Sequence, residues 1–262
     1  MSETALKDMA ATRALKAGHF MIEFATPGIG YILKNAGCDF VVFDTEHSGF
    51  GIETIKHVVA YMRAAELPVI VRVPSKDYKD IARVCDMGAD GVMLPMVANA
   101  AEAEAIVQSM KYVPRGHRGV ILRAAHDRYT AGPTMEKLEA ANRRTTLFVQ
   151  IETVEGVKNA AAIAAVDGVD CLWVGHFDLS CSLGIPGQFD HPKFTAAIEA
   201  VTAAARGADK SLGRLVPDVA SGIGFYKQGF DFIAYSADAW VLGDGVAQAL
   251  AGIRAGCRQE GG

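Results

Sequence analysis

A closed (β/α)8 barrel, an α/β fold of the TIM type in a single domain, is what this sequence predicts, and three observations predict it. Eight short runs rich in β-branched and aromatic residues alternate with eight longer, Ala-rich segments of helical period. The runs are near-continuously apolar, as are strands of a parallel sheet buried on both faces. No GxGxxG follows the first run, which counts against a doubly wound open sheet.

In chain order the strand runs are FMIEF (20–24), FVVFD (40–44), PVIVRV (68–73), GVMLP (91–95), LFVQI (147–151), CLWVG (171–175), LGRLV (212–216) and FIAYS (232–236). Helical segments at 28–36, 52–65, 77–87, 100–110, 155–165, 191–206, 219–228 and 243–255 follow them in turn. Ser75 stands where it would cap the third helix, with Tyr78 and Ile81 on that helix's inner face. The N-terminal stretch MSETALKDMAATRALKAG is polar and helical in pattern, without the apolar core of a signal peptide. Residues 111–146 break the rhythm: a connection this long is usually functional or an interface element. The expected layout is one barrel domain over 1–262 with a short N-terminal helix and this excursion.

Composition narrows the function. The 262 residues carry a net charge of −4, so nothing favours a polyanion and nucleic acid is not an expected partner. No apolar run approaches the roughly 20 residues of a membrane-spanning helix. Five scattered cysteines, an odd number without a CxxC pair, suit reduced thiols in a cytoplasmic protein better than disulfides or zinc.

In such a barrel the catalytic groups sit at the C-terminal ends of the strands. There this sequence places Asp44, Glu46 and His47 after the second strand, Arg72 in the third, Gln150 and Glu152 at the fifth, His176 and Asp178 at the sixth, Asp218 at the seventh, and Ser236 and Asp238 at the eighth. Neighbouring barrel strands lie ~4.8 Å apart, so Glu152 and Asp178 can share one ion. Two carboxylates without cysteine or paired imidazole describe a hard divalent site for Mg²⁺ or Mn²⁺, with water or substrate oxygen completing the shell; otherwise each carboxylate caps a helix or pairs with a lysine. His47 is the expected general base, the alternative being a histidine held by structural hydrogen bonds. His176 is a second candidate or a lining residue. A buried Arg72 requires an anion, either an internal carboxylate or a substrate oxyanion. No lysine falls within a predicted strand, which disfavours an imine-forming aldolase.

The segments FDTEH, VIVRV, GVMLPMVANAAEAE, KYVPRGHRGV, LFVQIETVEGVKN and LWVGHFDLSCSLGIPGQFDHP together resemble the HpcH/HpaI aldolase family over about residues 15–250. The resemblance implies a (β/α)8 barrel, usually a homohexamer, acting as a class II pyruvate aldolase with Mg²⁺ or Mn²⁺; Co²⁺ and other divalent ions fall in the same set. It makes Glu152 and Asp178 the metal ligands, His47 the base and Arg72 the stabiliser of the transition state. Gln150 matches a glutamine that contacts substrate, and Phe177 stands where a backbone amide near Asp178 meets the substrate carboxylate. Asp86 matches an aspartate that raises the basicity of the histidine. Asp86 lies near the end of a helix that should run away from the catalytic face, so either a partner chain delivers it or Asp44 takes that part. The sequence departs from the family at EHSGF (commonly EHAPN), GHFDLS (commonly GPADLS) and ILRAAHDRYTAG, which leaves the pocket for the aldehyde half open.

The implied reaction is reversible cleavage of a 4-hydroxy-2-oxo acid into pyruvate or hydroxypyruvate and an aldehyde. Three rivals stand beside it: a citrate-lyase-like enzyme acting on an acyl-CoA, a mutase or isomerase of a phosphorylated 2-oxo acid using VLGDGVAQAL, and a non-catalytic metabolite-binding barrel.

Overall fold

Eight parallel strands close on one another in chain order in the computed structural model, which describes residues 5–259. The strands are β1 (Lys16–Met21), β2 (Phe40–Asp44), β3 (Val69–Arg72), β4 (Gly91–Leu94), β5 (Thr146–Ile151), β6 (Cys171–Val174), β7 (Ser211–Val216) and β8 (Phe232–Ala237). The helices are α1 (Leu6–Ala10), α2 (Ile29–Asn35), α3 (Ile52–Ala64), α4 (Tyr78–Met87), α5 (Ala100–Met110), α6 (Thr134–Arg144), α7 (Val154–Ala164), α8 (His176–Ser182), α9 (Pro192–Gly207), α10 (Val219–Gln228) and α11 (Asp238–Gln259).

Strand parity builds two apolar layers. Phe20, Phe40, Val42, Ile70, Met93, Phe148, Trp173 and Phe232 fill the barrel, and α1 plugs its floor with Leu6 and Ala10. The intervening residues, among them Val41, Phe43, Val71, Leu94, Val149, Val174 and Leu212, face the helices. Both faces are therefore apolar, which is why the strands read as unbroken hydrophobic runs. Edge-to-face contacts of Phe232 with Phe40 (5.0 Å) and Phe148 (5.1 Å) lock the interior. Gly18 on β1 is glycine because a Cβ there would stand 2.6 Å from the Phe40 ring.

Seven of the eight strands fall within a residue or so of the predicted runs. β1 does not: it spans Lys16–Met21, not 20–24. The backbone N–H groups of Ile22, Glu23 and Phe24 donate to the Asp238 carboxylate at 3.0, 3.2 and 2.8 Å, so the chain leaves the sheet there. Lys16 starts β1 at the barrel floor, 4% exposed, with its amine 3.3 Å from Asp231 and donating to the Thr12 carbonyl at 2.7 Å. A lysine does lie in a barrel strand, then, but at the end opposite the functional face. Nor is Ser75 the cap of α4. Asp77 holds that position, while the Ser75 hydroxyl accepts from the Asp77 N–H and donates to Asp80. Ile81 faces inward as expected, but Tyr78 turns outward to stack on His117 at 5.7 Å.

The 111–146 excursion folds back on the barrel through a polar knot. The buried Lys111 amine donates to the Asn142 and Thr145 carbonyls (2.8 and 2.6 Å), and the Asn142 side chain pairs with both backbone groups of Tyr112. All five cysteines are free thiols. Among the described residues no helix is long and apolar enough to cross a membrane.

Candidate active site

The β2–β3 register sets Asp44 beside Arg72, because the two residues are partners in the ladder. Their side chains meet as a fork: Arg72 Nε donates to Asp44 Oδ1 at 2.8 Å and Nη2 to Oδ2 at 2.7 Å. Asp44 is 1% exposed, so this is a desolvated, bidentate pair. Arg72 Nη1 lies 3.2 Å from Glu46, and Glu46 lies 3.7 Å from His47 Nε2. The turn is tied locally. Asp44 Oδ1 accepts the Glu46 N–H, Ser48 donates to the Asp44 carbonyl, and Thr45 donates to the Arg72 carbonyl. His47 itself projects outward, with its side chain 63% exposed.

Across the mouth, Glu152 follows β5 and is 3% exposed. Its Oε1 accepts the Met96 N–H at 2.6 Å, and Oε2 accepts from Gln150 Nε2 at 3.1 Å. Met96 delivers that N–H from a left-handed conformation (φ 55°) in the loop after β4. Gly175 follows β6 without a side chain because a Cβ there would overlap the Glu152 carboxylate. Gln150 is also buried, and its Oε1 has no hydrogen-bond partner among the described residues. Asp178 stands in the first turn of α8, exposed, with no hydrogen bond or ion pair among the described residues.

The electrostatics are those of crowded acids. Burial pushes the Glu152 carboxyl up to about 7; Glu46 and Asp178 push the same way, while the Met96 N–H and Arg72 oppose them. Glu46 is also raised, chiefly by burial and further by Asp44 and Asp178, against the pull of Arg72 and His47.

The structure thus gathers Asp44, His47, Arg72, Gln150, Glu152 and Asp178 at one face of the barrel. Asp86 is elsewhere: it sits on α4, where Arg118 grips it at 2.6 and 3.0 Å. Phe177 is 59% exposed beside Asp178 and packs on His176 (4.8 Å) and Phe189 (5.1 Å). His176 packs in that aromatic cluster, where burial, seconded by Arg214, lowers it to about 4. Glu46 gains a part the sequence reading left unassigned, as the bridge between Arg72 and His47. Its signal was present in DTEH, but only the fold shows that Arg72 reaches it.

Among the described residues no three His, Cys, Asp or Glu side chains form a metal cluster. The pair Glu152 and Asp178 nonetheless suits a hard divalent cation. The donors are all oxygen, the buried carboxylate is held up by neighbouring negative charge, and a pair leaves positions for water and substrate.

Acids, an imidazole and a guanidinium converging at the strand ends of a (β/α)8 barrel define an enzyme, and the relatives of the chain define its class as a carbon–carbon lyase of the aldolase type. The chain belongs to the HpcH/HpaI aldolase/citrate lyase family, whose sequence profile matches residues 20–243. It is 36% identical over 212 residues (80% of this chain, 81% of the relative) to the 5-keto-4-deoxy-D-glucarate aldolase of Shigella boydii. It is 35% identical over 243 residues (91% and 94%) to the pyruvate aldolase of Rhizobium etli. The crystal structure of an HpcH/HpaI aldolase from Desulfitobacterium hafniense superposes with a TM-score of 0.90 at 30% identity, covering 95% of this chain and 96% of that one.

Proposed function

We propose that the chain catalyses the reversible aldol cleavage of 4-hydroxy-2-oxo acids into pyruvate, or hydroxypyruvate, and an aldehyde, with Mg²⁺ or Mn²⁺ held by Glu152 and Asp178. The observation that carries this reading is the buried Glu152 carboxylate, beside the negative charge of Glu46 and Asp178 and with no cationic side chain bonded to it among the described residues. When bound, such a cation supplies a Lewis acid for the 2-oxo group.

The residues divide the remaining work. His47, oriented by Glu46, takes the proton of the 4-hydroxyl. The C3–C4 bond then breaks, the aldehyde leaves, and the electron pair spreads onto the 2-oxygen of the pyruvate half. Arg72 stabilises that oxygen. Asp44 accepts hydrogen bonds from two of its five N–H donors, and the others are left to face Glu46 and substrate. The free Oε1 of Gln150 fits a substrate hydroxyl. A proton returned to C3 completes pyruvate.

The test is pyruvate in D₂O, followed by NMR. Loss of the methyl proton signal that needs Mn²⁺ or Mg²⁺, stops with EDTA and vanishes in Glu152→Gln supports the reading. Exchange that ignores the metal, or none with any divalent ion, contradicts it.

A further inference from the structure

The floor of the barrel, opposite the mouth that carries Glu152 and Arg72, holds a cavity of about 560 Å³. Met9 of α1 forms part of its wall, together with Asp39, Pro68 and Asp90, which immediately precede strands β2, β3 and β4. In a (β/α)8 barrel this N-terminal face ordinarily serves stability, and the chemistry sits at the other end. Three arginines on this face therefore call for a reason. Arg63 at the end of α3, Arg144 at the end of α6 and Arg128 in the excursion all line the cavity.

Two of these cations meet beside Gly88, another wall of the cavity. Arg63 Nη2 donates to the Gly88 carbonyl at 3.2 Å, and Arg144 Nη1 donates to the carbonyl of His126. A Cβ on Gly88 would overlap Arg63 Nη2 and stand 3.1 Å from His126 Cα, so both guanidiniums reach one spot. Those main-chain carbonyls are their only hydrogen-bond partners among the described residues, and neither arginine has an ion pair there. Arg144 Nε is sealed, but Arg144 Nη2 and the Nε and Nη1 of Arg63 are neither bonded nor sealed among the described residues. Burial lowers Arg144; Asp90 pulls the other way, and Arg63 and Arg118 add to the lowering. Asp90, two residues beyond Gly88, already accepts the Val69 N–H at 3.0 Å.

Three guanidiniums against one carboxylate leave two positive charges at this end of the cavity, which match a phosphate dianion better than a single carboxylate. The remaining wall suits hydroxyls. Lys16 is committed to Asp231 and Lys34 to the Glu66 carbonyl, which leaves the Glu66 carboxylate without a bonded cation among the described residues. One oxygen of Asp39 accepts the Ala17 N–H at 2.8 Å, and its other oxygen has no hydrogen bond among the described residues. We propose that this cavity binds a small phosphomonoester with a hydroxylated body, its phosphate on Arg63 and Arg144 and its hydroxyls toward the carboxylates of Asp39 and Glu66. The site is separate from the catalytic mouth, because its walls precede the strands whose far ends form that mouth.

The experiment is calorimetric titration of the full chain, kept metal-free with EDTA, using glycerol 3-phosphate as the probe and glycerol and acetate as comparisons. Wild type, Arg63→Gln, Arg144→Gln and Arg72→Lys are each titrated. The probe is expected to bind wild type and Arg72→Lys alike, and at least about tenfold more weakly in Arg63→Gln and in Arg144→Gln. Glycerol and acetate are expected to bind wild type at least about tenfold more weakly than the probe. Should Arg144→Gln fail to fold, Arg63→Gln, at a half-buried position, decides alone. The proposal is overturned by equal affinity in a folded arginine variant of the floor, or by loss of binding in Arg72→Lys, which would move the probe to the mouth. It is overturned as well by acetate or glycerol binding as tightly as the probe, by no binding of the probe at millimolar concentration, or by a crystal structure in which carboxylates of a second copy occupy Arg63 and Arg144.

Discussion

Arg72 and Asp44 are joined by two parallel hydrogen bonds of 2.8 and 2.7 Å across adjacent strands, which makes the guanidinium at the mouth of the barrel a fixed part of the wall. A single additional contact, at 3.2 Å, connects it to Glu46 and so to His47. His47, the proposed base, and Arg72, the proposed charge stabiliser, are thus linked through one carboxylate–guanidinium unit.

Breaking that unit should be costly twice over. Asp44→Ala leaves a largely buried guanidinium with Glu46 as its one ion-pair partner among the described residues, and is expected to cost about 3–5 kcal/mol of stability in denaturant titration. Arg72→Lys keeps the charge but not the fork, and is expected to lower kcat about 10²–10³-fold in a lactate-dehydrogenase-coupled cleavage assay. A double variant losing no more kcat than the worse single one confirms that the pair acts as a unit.

Glu152 predicts a pH signature. Burial holds its carboxyl at about 7 instead of 4.5, so between these values the folded protein keeps a proton that the unfolded chain has released. Stability of the metal-free protein therefore falls as pH rises from 4.5 towards 7, by at most about 3 kcal/mol, and the loss is complete above 7. Glu152→Gln removes this slope. Cation binding must displace the same proton, so apparent affinity should weaken roughly tenfold per pH unit below about 7, as metal titrations at stepped pH would show.

Gly175 is the position where the smallest side chain does damage. In Gly175→Ala the added methyl must displace the Glu152 carboxylate. A stability loss of about 1–3 kcal/mol is expected, together with weaker Mn²⁺ binding; an unchanged Mn²⁺ titration would separate Gly175 from the ion site.

Asp238 joins the loop after β1 to the start of α11 through the N–H groups of Ile22, Glu23 and Phe24. Asp238→Ala orphans all three, and thermal unfolding is expected to report a loss of about 2–4 kcal/mol.

What the sequence showed and what it hid follow from the same physics. FVVFD became β2 as read because both faces of a barrel strand bury apolar atoms, and its ionisable tail then fell at the functional end. β1 was shifted because Lys16 and His19 break its apolar run. Lys16 is tolerated by Asp231, and His19 Nδ1 lies 2.7 Å from the Tyr235 carbonyl, partners far away in the chain. Glu152 and Asp178 were legible as strand-end acids, whereas the link from Arg72 through Glu46 to His47 depends on side-chain reach. Arg214 was the least legible. One arginine in LGRLV reads like the one in VIVRV, and only the fold shows that Arg72 meets Asp44 while Arg214 meets two phenyl rings and, among the described residues, no acid.

The most direct measurement is anomalous diffraction from crystals soaked with Mn²⁺ and pyruvate. A single strong manganese peak is expected within coordinating reach of carboxylate oxygens from both Glu152 and Asp178, lost in Glu152→Gln. A peak that avoids either carboxylate, or an intact peak in Glu152→Gln, would contradict a site shared by the two.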